Sequence, residues 1–207
     1  LDSHIQTHLN PEKLRITHLG GGACSLARYC ADVYPNSRNT VVELDAKLAE
    51  YVREWFDIPK SPRVKIRVGD AGTITRSFAP ASRDVVIRDV FAVDKTPAEL
   101  TGVDFVRTVD NSLAPGGLYI LNCGDDRTLN AARAEAAALL EVFEYVSIVA
   151  DSAMLKGRRR GNIILAGSHV PLPQLGSAEA ASISRVLMGG GVPAQYWDTE
   201  KVRVFAR

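Results

Sequence analysis

The sequence predicts a doubly wound α/β domain built on a mostly parallel seven-stranded sheet that closes with an antiparallel hairpin. Three observations carry this. Short β-branched runs alternate with longer amphipathic segments. Most of those runs are apolar throughout, as strands covered on both faces are. The last two are separated only by a basic, glycine-containing turn at residues 156–161.

The strand candidates are residues 14–19, 40–44, 64–68, 85–89, 118–122, 145–149 and 162–166. Between them lie helix candidates at 24–33, 46–56, 72–78, 98–113 and 128–143; the last contains AARAEAAALLEVF, a run of strong helix formers. Tyr34-Pro35-Asn36, Ile58-Pro59 and Ala114-Pro115-Gly116-Gly117 supply helix stops. Five βα units in succession imply parallel strands joined by right-handed crossovers, with helices on both faces. The closing hairpin separates this methyltransferase-type (Rossmann-like) sheet from the dinucleotide-binding kind.

After Ser168 the pattern weakens. Pro171 and Pro173 form a linker, residues 178–187 a short helix, and Gly189-Gly190-Gly191 a break. The tail, with Tyr196, Trp197 and the run at 202–205, is open to three readings: an extra strand, a lid or an oligomer contact. The expected division is a nucleotide-binding domain at 1–170 and a C-terminal extension at 171–207.

Composition narrows the function classes. The 207 residues are 46% hydrophobic and 24% charged, which excludes disordered and fibrous chains. The net charge is +1, from 25 basic and 24 acidic residues, so neither a nucleic-acid nor a membrane-surface partner is expected. The three Arg158–Arg160 side chains read as a solvated hairpin tip. Three scattered cysteines give no disulfide framework, and four dispersed histidines give no metal-ligand spacing. A reducing cytoplasmic setting is expected, and no apolar run approaches the roughly 18 residues of a membrane helix.

In an open α/β sheet, ligands bind beyond the carboxyl ends of the strands. The first strand ends in Gly20-Gly21-Gly22-Ala23-Cys24-Ser25, a loop that lets backbone approach a ligand and presents helix N–H groups. By itself this motif is as compatible with a structural turn. Glu43 follows Gly20 by 23 residues, near the ~20 expected of an acid that grips ribose hydroxyls. Asp70, beside Ala71, can accept from an exocyclic amine, or cap the next helix, or both. Asp89 stands at the tip of the fourth strand, facing the reacting end of a ligand. A glycine loop followed by acids on three further strands is far more specific than any one of them, and a nicotinamide dinucleotide has no special use for the last two.

ITHLGGGACSLARYCADVYPNSRNTVVELD resembles the first βαβ unit of the spermidine synthase-like proteins, and DVVIRDVFAVDKTPAELTGVDFVRTVDNSLAPGGLYILN is similar to their fourth-strand segment. The resemblance spans roughly residues 14–166. It implies a transferase of polyamine biosynthesis that uses decarboxylated S-adenosylmethionine, or S-adenosylmethionine, as co-substrate, with no tightly bound cofactor or metal. It further implies a small amine acceptor such as putrescine and a homodimer. Carried over residue by residue, it makes Gly20, Gly21, Gly22, Glu43, Asp70 and Ala71 nucleoside contacts and Asp89 the catalytic acid/base, with Asp94 a weaker second carboxylate. Ala23 stands where the family has Asp, and Val90-Phe91-Ala92-Val93 replaces S-[ST]-D-P. Methyl transfer to a small molecule, or nucleoside binding without catalysis, are the alternatives.

Overall fold

The computed structural model describes residues 1–207 as two compact units, Leu1–Val90 with Arg107–Tyr119, and Phe91–Val106 with Ile120–Arg207. The fold is α/β, with eight strands in the order β3-β2-β1-β4-β5-β7-β6-β8, the labels following chain order.

The first unit opens with α1 (Asp2–His8), which the sequence did not announce, and continues through β1 (Arg15–Leu19), α2 (Ser25–Val33), β2 (Arg38–Glu43), α3 (Ala46–Trp55), β3 (Val64–Val68), α4 (Ala71–Arg76) and β4 (Arg83–Arg88). β1 pairs in parallel with β2 and β4, and β2 with β3. All four therefore point their carboxyl ends the same way. Ile16, Leu19, Val41, Val42, Val64, Val85 and Val86 are at most 1% exposed, each worth about 1.5–3 kcal/mol of burial. Between the sheet and its helices, Cys24, Ala27 and Ala31 of the loop and α2 meet Val41, Val52, Ile58 and Val64. Small residues on α2 let the helix lie close to the strands. Under the sheet's surface His18 Nε2 meets Asn39 Oδ1 at 3.0 Å, and Asn39 Nδ2 donates to Ser37 Oγ and to the Arg63 carbonyl. Because that amide nitrogen does the donating, Oδ1 accepts and the imidazole carries its proton on Nε2.

α5 (Gly102–Ser112) and β5 (Leu113–Asp125) each contribute residues to both units. The helix expected over 98–113 is broken at its start: a single 3₁₀ turn covers Ala98–Leu100, and Gly102, at φ 77°, resets the chain before α5. The second unit contains α6 (Asn130–Val142), β6 (Tyr145–Asp151), α7 (Ser152–Leu155), β7 (Gly161–Ser168), α8 (Ala178–Met188), β8 (Ala194–Trp197) and α9 (Thr199–Phe205). β6 and β7 run antiparallel, from Tyr145↔Ser168 to Val149↔Ile164, as the hairpin reading requires. Their connection holds more than a turn. Asp151 accepts from the Ala153 and Met154 N–H groups and starts the one-turn α7, while its second oxygen pairs with Arg159.

The tail does contain an extra strand, at Tyr196 and Trp197, while the run at 202–205 lies in α9 instead. β8 pairs antiparallel with β6, Ile148↔Trp197 through Asp151↔Ala194, which brings the strand count to eight rather than seven. The Tyr196 hydroxyl donates to the Pro173 carbonyl at 2.7 Å, and Asp198 caps α9 while accepting from the Leu175 N–H. Val202 is fully buried, and the Arg133 guanidinium lies 5.0 Å from the centre of the Phe205 ring while donating to the Phe205 carbonyl.

Candidate active site

The predicted site residues Gly20, Gly21, Gly22, Glu43, Asp70, Ala71 and Asp89 all fall in the first unit, at the carboxyl ends of β1 to β4. Main-chain bonds extend the ladder past the strands proper: Gly20 donates to Val42 O (2.9 Å), Gly69 to Glu43 O (2.9 Å) and Asp89 to Leu19 O (2.8 Å). The four loops thus form one continuous ledge.

The glycine loop is shaped by what crowds it. A Cβ on Gly20 would lie 2.1 Å from the Asp89 carbonyl oxygen, and its φ of 91° is foreign to other residues. On Gly21 a Cβ would come within 2.9 Å of Val41 and 3.1 Å of the Glu43 carboxylate. Gly22 faces open space but turns at φ 47°. The chain then enters α2 through Cys24, itself at φ 55°, with no side chain capping the first turn. The N–H groups of that turn have no side-chain acceptor, as suits a ligand-facing helix start.

Glu43 organises this loop. Its Oε2 accepts from the Gly21 and Gly22 N–H groups at 3.0 and 3.1 Å, and its Oε1 accepts from the Asp45 N–H at 3.0 Å. An ionised carboxylate offers about four acceptor positions, so capacity remains for a hydroxyl donor. Asp45 caps α3 through the Lys47 and Leu48 N–H groups, leaving the acid two residues earlier at the tip of its strand.

Asp70 caps α4, accepting from the Thr73 N–H at 2.7 Å. That bond, with a second from the Thr73 hydroxyl, holds its carboxyl below the usual carboxylate range. It stays exposed and ionised, an acceptor with one oxygen turned to the helix. Ala71 is buried as the first residue of α4. Asp89 is exposed and immediately follows β4. Asp94 belongs to the second unit, where it pairs with Arg160 at 3.2 Å.

Two further residues at the ledge were not singled out from the sequence. Leu44, beside Glu43, is 73% exposed, and Val68, two before Asp70, is 53% exposed. Apolar side chains left in solvent at strand tips offer surface to a flat ring. The signal was present in VVELD and IRVGD, where an apolar residue continues beyond or up to the end of the strand. Cys24 is buried and burial pushes its thiol up, which suits a packing residue rather than a nucleophile.

A probable spermidine synthase from Corynebacterium glutamicum is 60% identical to the chain, superposes with a TM-score of 0.96, and is matched over 99% of this chain and 74% of that one. The chain belongs to the spermidine synthase-like family. Human methyltransferase-like protein 13, solved in complex with SAH, is 26% identical at a TM-score of 0.70, with 90% of this chain and 87% of that one covered. Among curated relatives, the mouse eEF1A lysine and N-terminal methyltransferase is 33% identical over 128 residues, and the polyamine aminopropyltransferase of Vibrio vulnificus is 27% identical over 114. The matched stretch of this spermidine synthase-like chain makes up 56% and 54% of its own length, but only 18% and 38% of those two proteins. No protein-family model matches the chain.

Proposed function

We propose that the chain binds decarboxylated S-adenosylmethionine across the tips of β1 to β4 and transfers its aminopropyl group to a small amine of the putrescine type, a step of polyamine biosynthesis. The observation that carries this is the ledge joining Gly20, Glu43, Gly69 and Asp89, in a chain 60% identical to a probable spermidine synthase. In this reading the remaining acceptor capacity of Glu43 takes the ribose hydroxyls, and Asp70 takes the adenine amine. Leu44 and Val68 pack against the purine. The uncapped start of α2 and the backbone of Gly20 to Gly22 lie along the nucleoside's sulfur end.

The chemistry is a displacement at carbon. The acceptor nitrogen attacks the methylene carbon beside the sulfonium; the C–N bond forms as the C–S bond breaks, and its electron pair neutralises sulfur to a thioether, leaving methylthioadenosine. An ammonium has no lone pair, so the acceptor must first lose a proton. The Asp89 carboxylate holds the ammonium, receives that proton and orients the lone pair. The nucleoside is a co-substrate, and no metal enters. A homodimer, implied by the family resemblance, and a cytoplasmic setting, read from the scattered cysteines, remain part of the proposal.

A second reading is methyl transfer, favoured by the match across 87% of the solved chain of human methyltransferase-like protein 13. The two differ in the group on sulfur. Calorimetry with S-adenosylmethionine, its decarboxylated form and methylthioadenosine, followed by an amine panel assayed for methylthioadenosine release, separates them. Preference for the decarboxylated donor with release of methylthioadenosine supports aminopropyl transfer. Preference for the parent nucleoside with S-adenosylhomocysteine as product supports methyl transfer.

A further inference from the structure

The opposite ends of the same strands hold a second feature. A cleft of about 560 Å³ opens there, lined by Lys13, Arg15, Arg38, Asp84 and the amides of Asn10 and Asn36, among others. Its volume is in the range of small-molecule sites. β1 is five residues long, so at ~3.3 Å per residue the cleft lies about 16 Å along the strand from the glycine loop.

The parallel register sets Arg15 directly beside Arg38. Asn39 stands opposite Val64, so Arg63 comes next in the same row. Residues at matching positions on neighbouring parallel strands leave the sheet on the same face, and like charges so placed repel. The two outer arginines are each answered. Arg15 donates through Nε and Nη2 to Asp84 at 3.0 and 2.6 Å and through Nη1 to the Ala81 carbonyl. Arg63 donates to the Ala31 carbonyl in the last turns of α2 at 2.6 Å. The middle one, Arg38, is exposed on the cleft wall and makes no side-chain hydrogen bond or ion pair. Lys13, exposed on the same wall, makes none either. Glu12, the other acid of the cleft, accepts from the Asn36 amide at 2.6 Å. The cleft wall thus carries three cations, Lys13, Arg15 and Arg38, against Asp84 and Glu12, and with Arg15 held by Asp84 the two cations left open to a ligand are Arg38 and Lys13.

We infer that this cleft is a second ligand site, taking a small phosphate-bearing anion whose oxygens Arg38 grips in bidentate fashion and whose remaining charge Lys13 meets. Two adjacent cations that no protein side chain engages, Arg38 and Lys13, match a phosphate dianion better than a single carboxylate, and a guanidinium fork fits phosphate oxygens in pairs. The cleft holds more than the ion alone, so an organic phosphate fits as well as an inorganic one.

The test is calorimetry on the whole chain in a phosphate-free buffer, with inorganic phosphate, glucose 6-phosphate and citrate as probes. The wild type is expected to bind one or both phosphates more tightly than citrate, the comparison between them showing whether the organic moiety contributes. Arg38→Gln is expected to weaken that binding about tenfold or more, and Arg38→Lys to fall between the two. Methylthioadenosine affinity and the far-ultraviolet circular dichroism should be the same in all three proteins, which separates loss of the ligand from loss of the fold. Equal phosphate affinity in the wild type and Arg38→Gln, tighter binding of citrate, or no heat from either phosphate at millimolar concentration would overturn the assignment.

Discussion

The carbonyl oxygen of Asp89 lies 2.1 Å from the position a Cβ on residue 20 would occupy, so Gly20 is fixed by backbone just past the end of β4, nearly seventy residues further along the chain. The acid proposed to do the chemistry and the loop proposed to hold the nucleoside are therefore set by one contact.

Gly20→Ala is expected to force that contact apart, lowering stability by about 1–3 kcal/mol in urea unfolding and sharply weakening methylthioadenosine binding. Gly22→Ala meets nothing within 4 Å and bears only the cost of its positive φ, about 1 kcal/mol. Equal effects of the two substitutions would show that crowding at Gly20 does not govern the loop.

Glu43 accepts three backbone N–H bonds, so its loss is expected to act on loop and ligand together. Glu43→Gln removes the charge that strengthens those bonds and should cost about 1–2 kcal/mol of stability, with at least a tenfold loss of nucleoside affinity. Unfolding curves and calorimetry on the same preparation check both halves.

Asp89→Asn preserves size but cannot take a proton. Turnover on the amine acceptor is expected to fall by about 10²–10⁴, while methylthioadenosine affinity changes little. A parallel fall in both would place Asp89 in binding rather than in proton transfer.

Stability should depend on pH through two buried histidines. Burial lowers both His4, whose Nε2 meets the Gly116 carbonyl at 2.8 Å, and His18 from the ordinary histidine pKa of 6.5 to about 4. Between these values the unfolded chain binds more protons than the folded one, so stability rises with pH through that window and is level above it. Each histidine contributes a slope of up to about 1.4 kcal/mol per pH unit. Urea midpoints from pH 4.5 to 7.5 should rise accordingly, and His4→Gln should flatten the curve. An unchanged slope in that variant would mean that His4 takes up its proton equally in the folded and unfolded chain.

Much of the architecture was legible because periodicity reports burial. The all-apolar runs gave strands covered on two faces, and the brevity of residues 156–161 gave the hairpin of β6 and β7. What stayed hidden is decided by tertiary contact. β8 has four residues, too few for a period to show, and exists because β6 offers it an edge. α1 is held by side chains far along the chain: Asp2 accepts from the Tyr29 and Tyr34 hydroxyls, and His4 reaches Gly116. At the ledge, the spacing of Glu43 marked it as an acid at a strand tip. Its grip on Gly21 and Gly22 was not visible, since side-chain direction at a loop carries no sequence pattern. The cleft around Arg38 was missed for a related reason: Arg15, Arg38 and Arg63 are far apart in the chain, and only the register makes them a row.

The double employment of Glu43 bears on how relatives are to be judged. Selection for a foldable loop alone would retain this acid in a lineage that had abandoned group transfer altogether. An intact glutamate here is thus no certificate of an active enzyme, and homologues are better sorted by position 89, where the proposed proton transfer makes its own demand.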